Sequence, residues 1–124
     1  MTIYYDFHIH SGLSPCGDNE MTPNNIVNIA KLYDLDVIAL TDHNSTLNCK
    51  AVMEAGKEIG LLVIPGMELC TSEEVHLVCL FPDLESATKL RCPYRPKRQL
   101  LRGHHFVLSQ TRLWLFAYSL IFSA

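Results

Sequence analysis

An α/β fold on a largely parallel sheet is what residues 1–88 predict, and three observations carry that reading. Runs suited to β-strands recur around Tyr5, Val37, Leu61 and Val75, and segments with helical period separate the first three of them. Each of those three runs delivers histidine or carboxylate at or near its C-terminal end. Open and closed parallel sheets alike gather functional side chains there.

The length of 124 residues with 48% hydrophobic content suits one core rather than two. Five cysteines, Cys16, Cys49, Cys70, Cys79 and Cys92, form no Cys-x-x-Cys pair, so neither a disulfide framework nor a zinc ribbon is indicated and a reducing cytoplasm is expected. Asp6, His8 and His10 interrupt the first stretch, which therefore does not read as a secretory leader. The net charge of −3 conceals a split. All thirteen acids lie between Asp6 and Glu85 beside three lysines, a net of −10, whereas Lys89, Arg91, Arg95, Lys97, Arg98, Arg102 and Arg112 follow with no acid, a net of +7. The division expected is thus 1–88 as a partial domain and 89–124 as a basic and apolar tail.

In chain order, Tyr4-Tyr5-Asp6-Phe7-His8-Ile9-His10-Ser11 alternates as a strand, with Asp6, His8 and His10 on one face and Tyr5, Phe7 and Ile9 on the other. Pro15, Gly17 and Asp18 mark a loop. Thr22-Pro23 reads as an N-cap with proline at the first helical position, followed by an apolar stripe at Ile26, Ile29, Ala30 and Tyr33. Val37-Ile38-Ala39-Leu40 has the continuous apolarity of a strand covered on both faces. A second helix is expected from near Ser45 through Ala51, Val52, Ala55 and Ile59, stopped by Gly60. Leu61-Leu62-Val63-Ile64 is a third strand, ending in Pro65-Gly66-Met67-Glu68. An alternating fourth runs from Glu74 to Phe81, where Pro82 stops it, and Asp83 caps a short helix through Leu84 and Ala87.

Same-face neighbours on a strand lie about 6.6–6.8 Å apart, within reach of one ion for imidazoles that bind zinc at about 2.0–2.1 Å. His8 and His10 are therefore candidate ligands, and Asp6 is placed to hold a ligand ring by its other nitrogen. Singly, every candidate has an ordinary structural explanation. His8 and His10 can be a polar edge, Asp42 and His43 turn residues, Glu68 a solvated carboxylate, His76 a hydrogen-bonded core histidine and Asp18 a turn acid; Cys70 and Cys79 read as small buried hydrophobes. Together, four segments bring imidazole or carboxylate to one rim. These are the ligands of Zn²⁺, Mn²⁺ and Fe²⁺, and Glu68 could bridge two ions.

Asp6-Phe7-His8-Ile9-His10-Ser11, Thr41-Asp42-His43-Asn44, Gly66-Met67-Glu68 and Glu74-Val75-His76 resemble, in order and spacing, the first three motifs of the polymerase and histidinol phosphatase (PHP) family. The resemblance spans about residues 1–88 and implies the N-terminal portion of a PHP-type distorted (β/α)7 barrel, with parallel strands alternating with helices. It implies metal ligation by His8, His10, Asp18, His43, Glu68 and His76, catalytic roles for His8, His10, Asp42, His43 and Glu68, and up to three divalent ions (Mn, Zn or Fe). The activity implied is phosphomonoester hydrolysis by a metal-bound hydroxide. The partner expected is a small phosphorylated substrate such as a nucleotide, with nucleic acid less favoured and no membrane.

The family adds a further histidine and a late Asp-x-His, whereas no aspartate follows residue 88 and His104-His105 lacks their context. The acid-free segment and its apolar run from Leu113 to Phe122, far short of the ~20 residues that span a bilayer, read as the product of a frameshifted or truncated frame. Two alternatives accompany the enzyme: a metal-binding accessory domain without turnover, and an interaction module acting through the basic tail.

Overall fold

The computed structural model describes residues 2–71 and 74–90. The expected tail therefore falls, apart from Lys89 and Leu90, outside the described residues. The elements run β1 (Tyr5–Ile9), α1 (Pro23–Leu32), β2 (Val37–Leu40), α2 (Cys49–Ile59), β3 (Leu62–Cys70), β4 (His76–Leu80) and α3 (Leu84–Lys89). The four strands form one sheet in the order β1-β2-β3-β4.

β1 pairs parallel with β2, and β2 parallel with β3, each after a helical crossover. β4 departs from the parallel expectation: it runs antiparallel to β3, with Gly66 opposite Leu80 and Cys70 opposite His76. The reason is the length of the connection. Parallel neighbours need a crossover of a dozen or more residues, and only residues 71–75 join these two. Nor does the third strand end at Pro65-Gly66, as the sequence suggests. β3 continues through it, pairing with β2 up to Pro65 and with β4 from Gly66 onward. Gly66 is required by the crowding there, since a Cβ would meet Leu40 O and Thr41 Cγ2 at 2.9 Å and Cys79 O at 3.0 Å.

Thr22 accepts from Asn25 N–H and so caps α1, as Thr-Pro predicts. The buried face of α1 is Ile26, Val27 and Ala30; it keeps Ile26 and Ala30 of the stripe read from the sequence but turns toward Val27, leaving Ile29 and Tyr33 exposed. They line one side of an apolar groove against Tyr5, Ile9 and Met21 of the first segment. α2 begins at Cys49, four residues later than expected, because Asn48 spends its side chain on Ser11. Gly60 ends it with φ +70°, and Asp83 caps α3 by accepting from Ser86 N–H at 2.7 Å. Ile26, Val27, Ala30, Ile38, Leu40, Cys49, Val52, Ala55, Leu61 and Val63 form the core where the two longer helices meet the sheet. Fully burying each of the larger side chains among them contributes about 1.5–3 kcal/mol. Among the described residues no helix is long and apolar enough to cross a membrane.

Candidate metal centre

The C-terminal ends of β1, β2 and β3 converge on one carboxylate. Glu68 is buried, and its Oε2 lies 2.9 Å from His8 Nε2, 3.1 Å from His10 Nε2 and 3.5 Å from His43 Nδ1. Its Oε1 is 2.7 Å from His76 Nδ1. Backbone register makes this arrangement. Beyond Leu40 the chain continues alongside β3, Glu68 N–H donating to Asp42 O and Asn44 N–H to Glu68 O, so that His43 and Glu68 are bridge partners. His76 arrives from β4, two ladder positions beyond Val78, the partner of Glu68.

β1 contains a bulge: Asp6 pairs with Ile38 and Ile9 with Leu40, one extra residue on the β1 side. Bulges of this kind re-aim side chains. His8 and His10 still share a face, with ring centroids 5.0 Å apart. Asp6 does not join them. It lines the apolar groove with Tyr5 and Ile9 and accepts from the backbone N–H of His8, so the expected carboxylate contact with a ligand ring is replaced by a local turn.

Behind the histidines lies a buried polar network that the sequence reading did not anticipate. Ser11 N–H and Ser11 Oγ donate to Asp42 Oδ1 and Oδ2, both at 2.6 Å, and Ser14 Oγ donates to Asp42 Oδ1 at 3.0 Å. Ser14 Oγ in turn accepts from His43 N–H at 3.0 Å and lies 3.1 Å from His10 Nδ1. A hydroxyl has one proton and two lone pairs. With the proton given to Asp42, Ser14 can only accept from His10, which makes Nδ1 the protonated ring nitrogen. His10 Nε2 then carries the lone pair that faces Glu68. Asp42, 1% exposed, thus acts on the site through Ser14. Gly17 permits the loop to close, because a Cβ there would collide with Ser11 O.

Electrostatics fit the same picture. Burial alone would raise the Glu68 carboxyl, but hydrogen bonds from His8 and His76, with the charges of His43 and His8, hold it below its ordinary value. Burial, then the neighbouring His43, push the His10 imidazole below its usual range against the pull of Glu68. Both directions, the carboxyl of Glu68 lowered and the imidazole of His10 lowered, favour the forms of these two groups that bind cations.

Among the described residues, three groups of donor atoms lie mutually within 4.8 Å: His8, His10 and Glu68; His43, Cys70 and His76; and His10, Cys16 and His43. Ligand atoms about 2.1 Å from a shared ion stand about 3.0–3.4 Å apart at octahedral or tetrahedral angles, and the contacts around Oε2 span 2.9–3.5 Å. The donors present therefore fit a divalent ion. Asp18 belongs to none of these groups. It is exposed and its Oδ1 accepts from Glu20 N–H, while its loop instead brings Cys16 toward His10 and His43. Cys70 is not the buried hydrophobe read from the sequence: its Sγ is 3.1 Å from His43 Nδ1.

The family model of the PHP domain matches residues 6–113. The chain belongs to the PHP domain family. Its fold is accordingly the N-terminal portion of a PHP-type barrel, with a curled sheet whose parallel part brings His8, His10 and His43 to the site and whose antiparallel β4 adds His76. This PHP chain is 35% identical over 83 residues to a 5′-3′ exoribonuclease of Haemophilus influenzae, covering 64% of itself and 29% of that protein. Over 76 residues it is 34% identical to an uncharacterised protein of Methanocaldococcus jannaschii, covering 55% of itself and 44% of that protein. Among solved structures it resembles a proposed metal-dependent phosphoesterase from Bifidobacterium adolescentis, at TM-score 0.53 and 31% identity, covering 64% of this chain and 27% of the other. It also resembles an amidohydrolase from Chromobacterium violaceum solved with bound sulfate and no metal, at TM-score 0.55 and 30% identity, covering 61% and 27%. The PHP chain thus spans less than half the length of each of these four proteins.

Proposed function

We propose that this PHP chain carries the metal-binding part of a phosphoesterase centre, with His8, His10, His43, Glu68 and His76 as ligands. The single observation behind the reading is the buried Glu68 carboxylate ringed by four imidazole nitrogens at 2.7–3.5 Å. Such a set is costly to assemble without a cation, since each ring nitrogen facing a carboxylate must otherwise hold a proton in a partly desolvated site. Divalent ions bound there supply Lewis acidity toward a phosphoryl oxygen and lower the pKa of a coordinated water.

The chain's own residues do the rest. Glu68 offers one oxygen to the His8 and His10 side and the other to His76, the disposition of a bridging carboxylate. Asp42 and Ser14 fix His10 with its Nε2 lone pair inward. His8 and His76 have side chains 51% and 49% exposed, against 19% and 16% for His10 and His43, so substrate approaches across them. A phosphoester is the substrate class favoured by the phosphoesterase and exoribonuclease relatives, and a nucleotide or 5′-phosphorylated oligonucleotide is the first to try.

The test is isothermal titration of the chain with Mn²⁺ and Zn²⁺, followed by phosphate release from a panel of phosphomonoesters and short RNA. Metal uptake that is lost in His8→Ala and Glu68→Ala, with phosphate release that follows the metal, is the expected result. A chain that folds yet takes up neither ion refutes the centre. Uptake with no turnover selects the accessory metal-binding role.

A further inference from the structure

Cys70 stands opposite His76 as the last pair of the β3–β4 ladder. Partners in an antiparallel ladder hold their Cβ atoms about 4.5–5.5 Å apart on one face. The Cys70 Sγ lies 3.1 Å from His43 Nδ1 and 3.8 Å from His76 Nδ1. Zinc bound at about 2.3 Å to sulfur and 2.0–2.1 Å to nitrogen sets the two atoms about 3.6 Å apart at a tetrahedral angle, a value between those two distances. The backbone is held for this arrangement: Cys70 N–H donates to Asn44 Oδ1 at 2.9 Å, and Asn44 reaches it from the left-handed region at φ +49°, which asparagine tolerates better than most residues. Glu68 Oε1 lies 2.7 Å from His76 Nδ1, so the carboxylate borders this group.

We infer that Cys70 is a metal ligand, forming with His43 and His76 a second subsite beside that of His8, His10 and Glu68, the Glu68 carboxylate reaching it through His76. The inference rests on the metal-dependent reading above and adds a preference to it. A thiolate is a soft donor, so this subsite favours zinc or another thiophilic ion over manganese. As the metal–sulfur bond forms, the thiol proton passes to solvent.

The experiment is titration of the full chain with Co²⁺ as a spectroscopic stand-in for zinc. Visible ligand-field bands report binding of any kind, and a near-ultraviolet sulfur-to-cobalt charge-transfer band reports a thiolate ligand. The parent chain should show both. Cys70→Ser should keep the ligand-field bands, lose the charge-transfer band and reduce the preference for Zn²⁺ over Mn²⁺ about tenfold or more. Cys16→Ser, the control for the thiol near His10 and His43, should keep the charge-transfer band, and circular dichroism establishes that each variant is folded. Ligand-field bands without charge transfer in the parent, or charge transfer that survives in folded Cys70→Ser, overturn the role of Cys70 and leave the metal centre standing. Charge transfer lost in Cys16→Ser reassigns the thiolate and overturns it too. No cobalt bands at all in the folded parent overturn the metal-dependent reading and the inference together.

Discussion

Replacing Asp42 by asparagine changes one atom's chemistry and leaves the shape, so its effect can be worked from the hydrogen-bond inventory. Oδ1 accepts from Ser11 N–H and Ser14 Oγ, and an asparagine oxygen placed there preserves both bonds. The amide nitrogen must then occupy the position of Oδ2 and face Ser11 Oγ, which at present donates to that oxygen. Ser11 Oγ already accepts from Asn48 Nδ2 at 2.8 Å and from Leu13 N–H at 3.3 Å, so both lone pairs are taken and its proton loses its acceptor. A buried donor and a buried amide left without partners cost about 1–3 kcal/mol. For a domain of this size that lowers Tm by roughly 5–20 °C. Asp42→Ala, which strips all three bonds, should cost about 3–5 kcal/mol. Thermal and urea denaturation of both variants measure this, with Zn²⁺ titration beside them. Loss of the Ser14 bond in Asp42→Ala should also weaken zinc binding, since Ser14 holds His10 Nδ1. If Asp42→Asn melts within about 1 °C of the parent, or Asp42→Ala binds zinc unchanged, the argued network does not organise the site.

Gly66→Ala should destabilise the chain at the upper end of the 1–3 kcal/mol typical of overpacking, because two of the three atoms a Cβ meets are strand carbonyls; a urea midpoint equal to the parent's would contradict it. Cys49, fully buried, has its thiol pushed by desolvation up to about 11 from 9.0. The protonated thiol is therefore the folded form, stability is unaffected below pH 9, and as pH rises from 9 to 11 it falls by about 3 kcal/mol at most. Mass-spectrometric mapping after iodoacetamide treatment at pH 8 should find exposed Cys16 labelled and Cys49 protected until denaturant is added, and rapid native labelling of Cys49 would refute the burial argument. Zinc at a hundred times its Kd should raise the unfolding free energy by ~2.7 kcal/mol, reversed by chelator and absent in Glu68→Ala. A melt insensitive to zinc and chelator would speak against a native-state metal site.

Local sequence makes the strand and helix order, the caps at Thr22 and Asp83 and the stop at Gly60 legible, because each depends on local period and local backbone chemistry. It also singled out His8, His10, His43, Glu68 and His76, which the fold brings together, because motif spacing and placement at strand ends are written in one dimension. Tertiary structure decided what depends on register and direction. The short 71–75 connection turned β4 antiparallel and so set Cys70 beside His76, where composition alone suggested a buried hydrophobe. The bulge in β1 took Asp6 away from the histidines although strict alternation placed it among them. The helix stripe at Ile29 and Tyr33 was equally legible, but only the angle of α1 on the sheet decides which flank of an amphipathic surface is buried. Ser11, Ser14 and Asp42 carry no signal of their partnership in the sequence, since a hydrogen-bond network among residues about thirty positions apart exists only once β1 and β2 lie side by side and water has been removed from between them.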